Sequence, residues 1–140
     1  MRKIFLILSI LFTFLFSGCG GISNEEYIEN VKNFSFKGNE FYYATNIEEL
    51  ARNICITSQY FTPVDKRDLK WSIEKTNKKE KTKIVKCEYR GNEIFFITYY
   101  NDEGFTVDLE RSYTISQLGW QTSILQFISL EHPNLEQYFK

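Results

Sequence analysis

Hydrophobic residues recur with a helical period in the middle of the chain. Five apolar side chains are spaced at i, i+3, i+4, i+7 and i+8: Ile47, Leu50, Ala51, Ile54 and Cys55. This spacing places them on one face of an α-helix, which would bury that face in a core. Residues 45–48 have the pattern of a capping box, and Pro63 follows the stripe. We therefore expect a helix that begins just after the box and ends near Ser58.

A shorter helix is predicted ahead of this one. Residues 23–26 form another capping box, with Ser23 as the N-cap. A helix over about residues 24–33 would bury three apolar side chains, Tyr27, Ile28 and Val31. The aromatic stretch at residues 34–43 is interrupted by a Gly-Asn pair, so it predicts extended chain or a small hairpin.

The hydrophobic period changes to two between residues 69 and 111. Apolar and polar residues alternate there, beginning with Leu69, Trp71 and Ile73. Turn signals at residues 76–80, 90–92 and 101–104 separate four predicted strands. Short turns make neighbouring strands antiparallel, so the segment predicts a four-stranded meander. Residues 94–100 are apolar or aromatic on both faces, as expected for a strand that is covered on both sides.

The segment at residues 116–131 fits a helix better than a strand. In a helix its apolar residues gather on one side: Leu118, Trp120, Ile124, Leu125, Phe127 and Ile128. The His132-Pro133 pair would end that helix. The predicted fold class is therefore α+β, with helices packed on a four-stranded antiparallel meander sheet.

Composition and charge exclude several classes of function. The chain has 140 residues, 43% of them hydrophobic, which suits one globular domain. A net charge of -1 gives no basis for nucleic-acid binding. His132 is the only histidine and is expected at the surface, and residues 101–104 resemble a hairpin turn more than a calcium loop. We predict no catalytic residue, no metal site and no cofactor, and hence no enzyme.

The N-terminus has the layout of a secretory signal peptide. Arg2 and Lys3 precede a mostly apolar run at residues 4–16, and Ser17-Gly18 lie before Cys19. A membrane-spanning helix needs about 20 apolar residues, so this run is too short to be one. The alternative to a lipoprotein signal is an ordinary signal peptide with a chance cysteine at the cleavage site.

Residues 16–19, Phe-Ser-Gly-Cys, resemble the lipobox of bacterial lipoproteins. The resemblance implies cleavage before Cys19 and a diacylglycerol on its sulfur, with acyl chains that contribute about 0.8 kcal/mol per buried methylene. It divides the chain into a signal peptide at 1–18, a lipidated tether at 19–24 and a single α+β domain at 25–140. Gly20 is not the Asp that retains lipoproteins in the inner membrane, which implies the outer membrane in a diderm organism and the outer face of the plasma membrane otherwise.

The other two cysteines, Cys55 and Cys87, are both predicted to face the core. In an exported protein they could form a disulfide between helix and sheet. Closing that loop would stabilise the fold by roughly 3–4 kcal/mol, because it lowers the entropy of the unfolded chain. The alternative is a pair of buried free thiols that pack as small hydrophobes.

Two sets of residues are candidates for a binding surface. Tyr42, Tyr43 and Tyr99 belong to dense aromatic clusters, which occur in recognition patches and in ordinary cores. Lys78, Lys79 and Lys81 belong to a lysine-rich hairpin turn. That turn could contact anionic lipid headgroups near the anchor, or it could be a solvated turn whose lysines protect an edge strand.

Three further resemblances concern the domain. Residues 31–108 resemble small secreted or lipidated bacterial proteins of unassigned function, with a helix followed by a β-meander. The order of elements also resembles small lipoproteins that scaffold outer-membrane barrel assembly. Residues 87–92, leading into 94–100, resemble the start of membrane-bound C-type lysozyme inhibitors.

We therefore expect a membrane-anchored lipoprotein with a non-enzymatic binding or scaffolding domain in the bacterial envelope. Its partners would be the membrane, through acyl chains on Cys19, and an envelope protein. The alternative is a surface or periplasmic inhibitor, or an exclusion factor that resembles the lysozyme inhibitors.

Overall fold

The structure is a computed structural model that describes residues 22–139. The predicted signal peptide at 1–18 and the lipidation site Cys19 lie outside the described residues. The described part contains three α-helices, α1 (Asn24–Lys32), α2 (Ile47–Ser58) and α3 (Ile124–Ile128). Short 3-10 helices occupy Lys66–Asp68 and Glu136–Tyr138.

Helices α1 and α2 lie where the sequence predicted them, but the cap of α2 is shifted by one residue. The Ser23 hydroxyl accepts from the Glu26 N–H at 3.1 Å and begins α1 as expected. In α2 the N-cap is Asn46, whose Oδ1 accepts from the Glu49 N–H at 2.9 Å. Glu49 Oε1 in turn accepts from the Thr45 N–H at 2.9 Å. The Asn46 side chain provides a better cap than Thr45, so the reciprocal pair spans residues 45–49.

The sheet is antiparallel throughout and has the order β1-β2-β3-β4-β5. Its strands are Lys70–Asn77, Thr82–Tyr89, Asn92–Tyr100, Phe105–Ile115 and Gln121–Ser123. The prediction of an α+β fold with an antiparallel meander is confirmed. The count of four strands is wrong by one, because β5 pairs Gln121–Ser123 with the end of β4.

The predicted helix at residues 116–131 is therefore also wrong for its first half. The chain makes a tight turn there, in which the Ser116 N–H donates to the Trp120 carbonyl at 2.9 Å and Gly119 has φ +88°. Gly119 adopts this left-handed conformation readily, and the turn reverses the chain into β5. Only Ile124–Ile128 is helical. Sheet pairing thus overrides the helical periodicity of the segment.

The apolar stripe of α2 packs into one core with the sheet. Ile47, Leu50, Ala51, Ile54 and Cys55 are all buried, as predicted. They share a single cluster with residues of β2, β3 and β4. Burial of such side chains stabilises the fold by roughly 1.5–3 kcal/mol each.

The strands define two ends of the domain. The proximal end holds the turns at residues 78–81 and 101–104 together with the start of α1, because Lys83 Nζ donates to Asn24 Oδ1 at 3.2 Å. The distal end holds the turns at residues 90–91 and 116–120. An eight-residue strand such as β2 separates the two ends by roughly 26 Å.

Candidate functional site

The structure does not bring the predicted binding residues together on one surface. Lys78, Lys79 and Lys81 are exposed on the β1–β2 turn at the proximal end. Tyr99 is half-buried near the same end, and its hydroxyl accepts from Arg111 Nη1 at 3.0 Å. Tyr42 belongs to the distal end, because its ring lies 6.4 Å from that of Phe127, close to β5. The candidates therefore fall into two groups about one strand length apart.

Tyr42 and Tyr43 belong to an aromatic cluster around His132. The cluster consists of Tyr42, Tyr43, Phe61, Phe127, His132 and Tyr138. The His132 ring lies 5.5 Å from Tyr42, 5.9 Å from Phe127 and 6.1 Å from Phe61. His132 is thus half-buried among rings, whereas the sequence predicted a surface histidine. Two of its three ring neighbours, Tyr42 and Phe61, come from distant segments, so no local motif could reveal this environment.

The backbone is unusual beside this cluster. Tyr42, Tyr43, Tyr60 and Phe61 all have φ between 56° and 61°, the left-handed region that bulky residues rarely adopt. Such a conformation costs about 1–2 kcal/mol per residue. The Asn53 side chain offsets part of this cost by donating to the Tyr42 carbonyl at 2.8 Å. This bond helps to fix the direction in which the Tyr42 side chain projects.

The Tyr42 hydroxyl is held inside the domain. It hydrogen-bonds to Thr57 Oγ1 near the end of α2, and Thr57 donates to the Asn53 carbonyl at 3.2 Å. Desolvation raises the pKa of Tyr42 to about 12, so the phenol is neutral at physiological pH. Tyr42 therefore acts as a neutral structural hydrogen-bonding group.

A cavity of about 60 Å³ lies at the distal end, between α2 and the starts or ends of β3, β4 and β5. Its lining includes Cys55, Asn92, Ile94, Thr114, Trp120 and Phe127. Aliphatic and aromatic side chains form much of the wall, and hydroxyl and amide groups interrupt it. This mixture is typical of sites that bind a small group and orient it.

Asn92 is the most informative residue of the cavity. It is only 5% exposed, and its Oδ1 accepts from the Gln117 N–H at 3.2 Å. That bond fixes the orientation of the amide, since only the oxygen can face a donor. Within residues 22–139, Asn92 Nδ2 is buried and has no hydrogen-bond partner. An unpaired buried donor costs about 1–3 kcal/mol relative to a paired one, so Nδ2 makes this position energetically unfavourable.

The turn at residues 116–120 presents two large apolar side chains beside the cavity. Leu118 is 76% exposed and Trp120 is 73% exposed. The Ser116 hydroxyl accepts from the backbone N–H groups of both, at 3.3 and 3.1 Å. These hydrogen bonds stabilise the turn, and the turn places Trp120 in the lining of the cavity.

The large hydrophobic side chains that are exposed in residues 22–139 all belong near this end. Besides Leu118 and Trp120 they are Tyr60 and Leu130. Tyr60 lies two residues after Ser58, and Leu130 three residues after Phe127, both of which line the cavity. We call these four residues the distal apolar surface. Exposed apolar side chains mark an interaction site where they form one contiguous patch.

Two segments at the distal end carry no charged side chain, although Arg90 in the 90–91 turn is exposed there. Residues 53–64 and 112–130 contain no Asp, Glu, Lys or Arg, although such residues make up 25% of the chain. Both segments contribute to the cavity. The acidic residue in the lining, Glu93, pairs with Lys86 at 3.6 Å. The site therefore suits a neutral ligand.

The two core cysteines are free thiols in this structure, and so the predicted disulfide is not formed in it. Burial raises the pKa of Cys55 to about 12 and that of Cys87 well above its ordinary value of 9.0. Since the thiolate is the reactive form, both groups are poor nucleophiles. Whether oxidation joins them in the mature protein stays a prediction.

Residues 22–139 contain no group of three or more His, Cys, Asp or Glu side chains placed to hold a metal ion. None of the helices in that range combines the length and the apolar character required to cross a bilayer. Comparisons with protein families, curated proteins and solved structures found no match to this chain.

Proposed function

We propose that this protein is a membrane-anchored lipoprotein of the bacterial envelope whose domain binds a partner without catalysing a reaction. The observation that carries the proposal is the opposite placement of two features. The chain enters the domain at the proximal end, where Asn24 contacts Lys83. The distal apolar surface and the cavity lie at the other end of the sheet.

This arrangement suits an anchored binding module. If Cys19 carries the lipid, the five residues 20–24 span at most about 17 Å, so the proximal end stays close to the bilayer. The sheet then holds the distal end roughly 26 Å further out. An exposed Trp and Tyr on that outer end resemble the side chains that dominate binding energy at protein interfaces.

The lysines of the proximal end contribute less to this proposal. Five exposed acidic residues share that end with Lys78, Lys79, Lys81 and the half-buried Lys83, namely Glu25, Glu26, Glu80, Asp102 and Glu103. Acidic and basic side chains at the same end partly offset one another's electrostatic potential. This balance favours a solvated turn over a dedicated site for anionic lipid, and it moves the proposed binding surface to the distal end.

Site-specific photo-crosslinking in cells that express the full chain tests the proposal. A photoreactive amino acid replaces Leu118 at the distal end or, as a matched exposed control, Lys79 at the proximal end. We expect an envelope component to be captured from position 118 and not from position 79. Equal capture at both positions, or none from position 118, would contradict the proposed polarity. Capture of a foreign hydrolase or phage protein at position 118 would favour the inhibitor alternative.

A further inference from the structure

We propose that the face of the sheet opposite the helices is an interface between two copies of this chain, which pack face to face with their strands parallel. We call this face the outer face and define it by five residues of β2, β3 and β4: Ile84, Phe95, Ile97, Tyr99 and Tyr113. None of these five lines the distal cavity. The inference therefore goes beyond the proposed function.

Alternation along the strands assigns these residues to one side of the sheet. On β3, Phe96 and Thr98 face the helices, since Phe96 belongs to the core cluster and Thr98 hydrogen-bonds to Tyr27 of α1. Successive side chains of a strand point to opposite sides, so Phe95 and Ile97 point away from the helices. Among residues 22–139, the core cluster includes none of the five residues of the outer face.

The outer face is apolar along its centre. Ile84 and Ile97 are cross-strand neighbours, and so are Phe95 and Tyr113, whose ring centroids lie 4.9 Å apart in a stacked arrangement. Tyr99 extends this row toward the proximal end. All of these side chains except the buried Phe95 are half-buried, so a partner that packs on them would remove further apolar surface from water.

The sequence of β3 requires a cover on this side. Residues 94–100 are apolar or aromatic on both faces, which is typical of a strand covered on both sides. Helices α1 and α2 contribute their buried side chains to the core on the inner side only. A second copy supplies the missing layer as in a β-sandwich, where two sheets pack about 10 Å apart with aligned strands.

Charged side chains at the border of the outer face suit a second copy. Lys86 lies 3.5 Å from Glu74 and 3.6 Å from Glu93, and Arg111 lies 3.8 Å from Asp108. Because these charges are paired within each chain, two such faces can approach without a large excess of like charge. A two-fold axis along β3 also places the β4 side of one copy over the β1 side of the other. Arg111, whose side chain is 74% exposed, then approaches Glu74 of the second copy.

The entry point of the chain favours the parallel arrangement. A two-fold axis along the strands places the proximal ends of both copies on the same side, so both Cys19 anchors can enter one bilayer. This step rests on the proposed anchor. Symmetric pairing of the two β1 edges would instead be antiparallel and would direct the proximal ends to opposite sides.

The area of the outer face suits a weak dimer. Four strands that are spaced about 4.8 Å apart and are roughly 26 Å long cover about 500 Å². Two copies therefore bury about 1,000 Å² in total, which is near the lower limit for a specific interface. Anchoring in a common bilayer raises the effective concentration of each copy for the other.

Photo-crosslinking of the full chain in cells tests this inference. Two differently tagged copies are co-expressed, and a photoreactive amino acid replaces Ile97 in one of them. Ile73 is the matched control position, since it is another half-buried isoleucine but lies on the β1 edge and packs against the core. We expect a product of twice the mass, carrying both tags, from position 97 and not from position 73. Trypsin digestion should show that the product joins residues 91–111 of both copies.

A thiol at position 99 tests the orientation. The parallel arrangement brings equivalent residues to the same height, so a short bis-maleimide should join two Tyr99→Cys chains. The unaltered chain is the control, because its two core thiols are buried. Failure of Tyr99→Cys to form a dimer would overturn the parallel arrangement.

A charge at the centre of the interface should separate the copies. Ile97→Glu places two carboxylates close to the two-fold axis and should lower the association constant in detergent micelles about tenfold or more. Gln126→Glu adds the same charge at an exposed position on α3 and should leave association unchanged. Analytical ultracentrifugation measures both, and thermal unfolding verifies that the Ile97→Glu variant is folded.

The outcomes distinguish this inference from the proposed function. A doubly tagged product from position 73 instead of 97, or none from position 97, would overturn the inference. Capture of a different protein at position 97 would assign the outer face to that protein and would also overturn it, as would equal association of folded Ile97→Glu and the unaltered chain. In each of these cases, capture of an envelope component at position 118 would leave the proposed function standing.

Discussion

The Asn92 side chain accepts a hydrogen bond from the backbone N–H of Gln117 at 3.2 Å, across 25 residues of sequence. This bond joins the first residue of β3, next to the turn after β2, to the turn after β4. The bond therefore positions Trp120 relative to the cavity, and it leaves Asn92 Nδ2 as the buried donor.

Replacement of Asn92 by Ala should lower the free energy of unfolding by about 1–2 kcal/mol. The variant loses this hydrogen bond, leaves the Gln117 N–H without its acceptor and empties the space of a buried side chain, and together these losses exceed the gain from removing the unpaired Nδ2. Urea denaturation of the two proteins measures the difference. Gln117→Ala is the matched control, since it keeps the backbone N–H, and it should cost less. Equal losses in the two variants would show that the hydrogen bond contributes little.

The backbone of Tyr60 should make glycine the best tolerated replacement. Tyr60 has φ 57° and is 85% exposed, so a substitution loses little packing. Tyr60→Gly removes the steric cost of the left-handed conformation, whereas Tyr60→Ala retains it. We expect the Gly variant to be more stable than the Ala variant by about 0.5–1 kcal/mol. This figure allows for the larger entropy of glycine in the unfolded chain, which offsets part of the gain. Thermal unfolding compares the pair, and a more stable Ala variant would contradict the strain at this position.

The domain should lose stability in alkaline solution. Burial raises the pKa of Cys55 to about 12 from an ordinary value of 9.0, and that of Tyr42 to about 12 from 10.0. A group whose pKa is higher in the folded state than in the unfolded state contributes to the stability of the fold. That contribution is complete at pH values below the unfolded pKa. That contribution is lost as the pH rises through the interval between the two values.

The free energy of unfolding should therefore fall from about pH 9 upward, as the unfolded state begins to lose protons that the folded state retains. Denaturation curves between pH 7 and pH 11 measure the slope. Cys55→Ala removes one of the thiols and should reduce the loss between pH 9 and 10, while the tyrosine contribution above pH 10 persists. A flat profile over this range would contradict the burial of these groups.

The two core thiols should resist alkylation in the reduced, folded protein. Both are buried, and their raised pKa values leave almost no thiolate at pH 8. Iodoacetamide should therefore label them only after unfolding, as mass spectrometry will detect. Protein isolated without reductant tests the disulfide predicted from the sequence. A bonded pair takes up no label even when unfolded, whereas two labels would exclude the cross-link.

Cys19→Ala should abolish acylation and leave an uncleaved or soluble form. The thiol is the group that the lipobox resemblance assigns to the diacylglycerol, and alanine has no nucleophile in its place. Metabolic labelling with a palmitate analogue measures the acylation directly. Cys55→Ala is the control and should keep the label. Undiminished label on Cys19→Ala would contradict the lipoprotein proposal.

Predictions that depend on interactions between neighbouring residues were accurate, and predictions that depend on long-range contacts were not. The α2 stripe from Ile47 to Cys55 and the alternation in β1–β4 are local patterns, and both elements lie where the patterns indicated. The end of the chain did not follow its pattern. Leu118 and Trp120 have helical spacing with Ile124, but Gly119 and pairing with β4 turn that segment into a loop and a strand.

The distal site was beyond prediction for a related reason. The sequence pattern indicated that Asn92 is part of a turn, that His132 is a surface residue and that Trp120 lies on the apolar face of a helix. Nothing within a few residues of any of them indicates a cavity, because its walls come from segments that are 20 or more residues apart in the chain. The predicted candidates Tyr42 and Tyr99 were separated by the same packing.

Local periodicity and capping were sufficient to establish an α+β domain, its two long helices and the antiparallel order of its strands, since these depend on neighbours within a few residues. The absence of charged residues from 53–64 and 112–130 is likewise visible in the sequence. The sequence does not show that these two segments meet around Asn92. It depends on how α2 packs against the sheet and on the pairing of β5 with β4, and these long-range contacts alone create the cavity and expose Trp120 beside it.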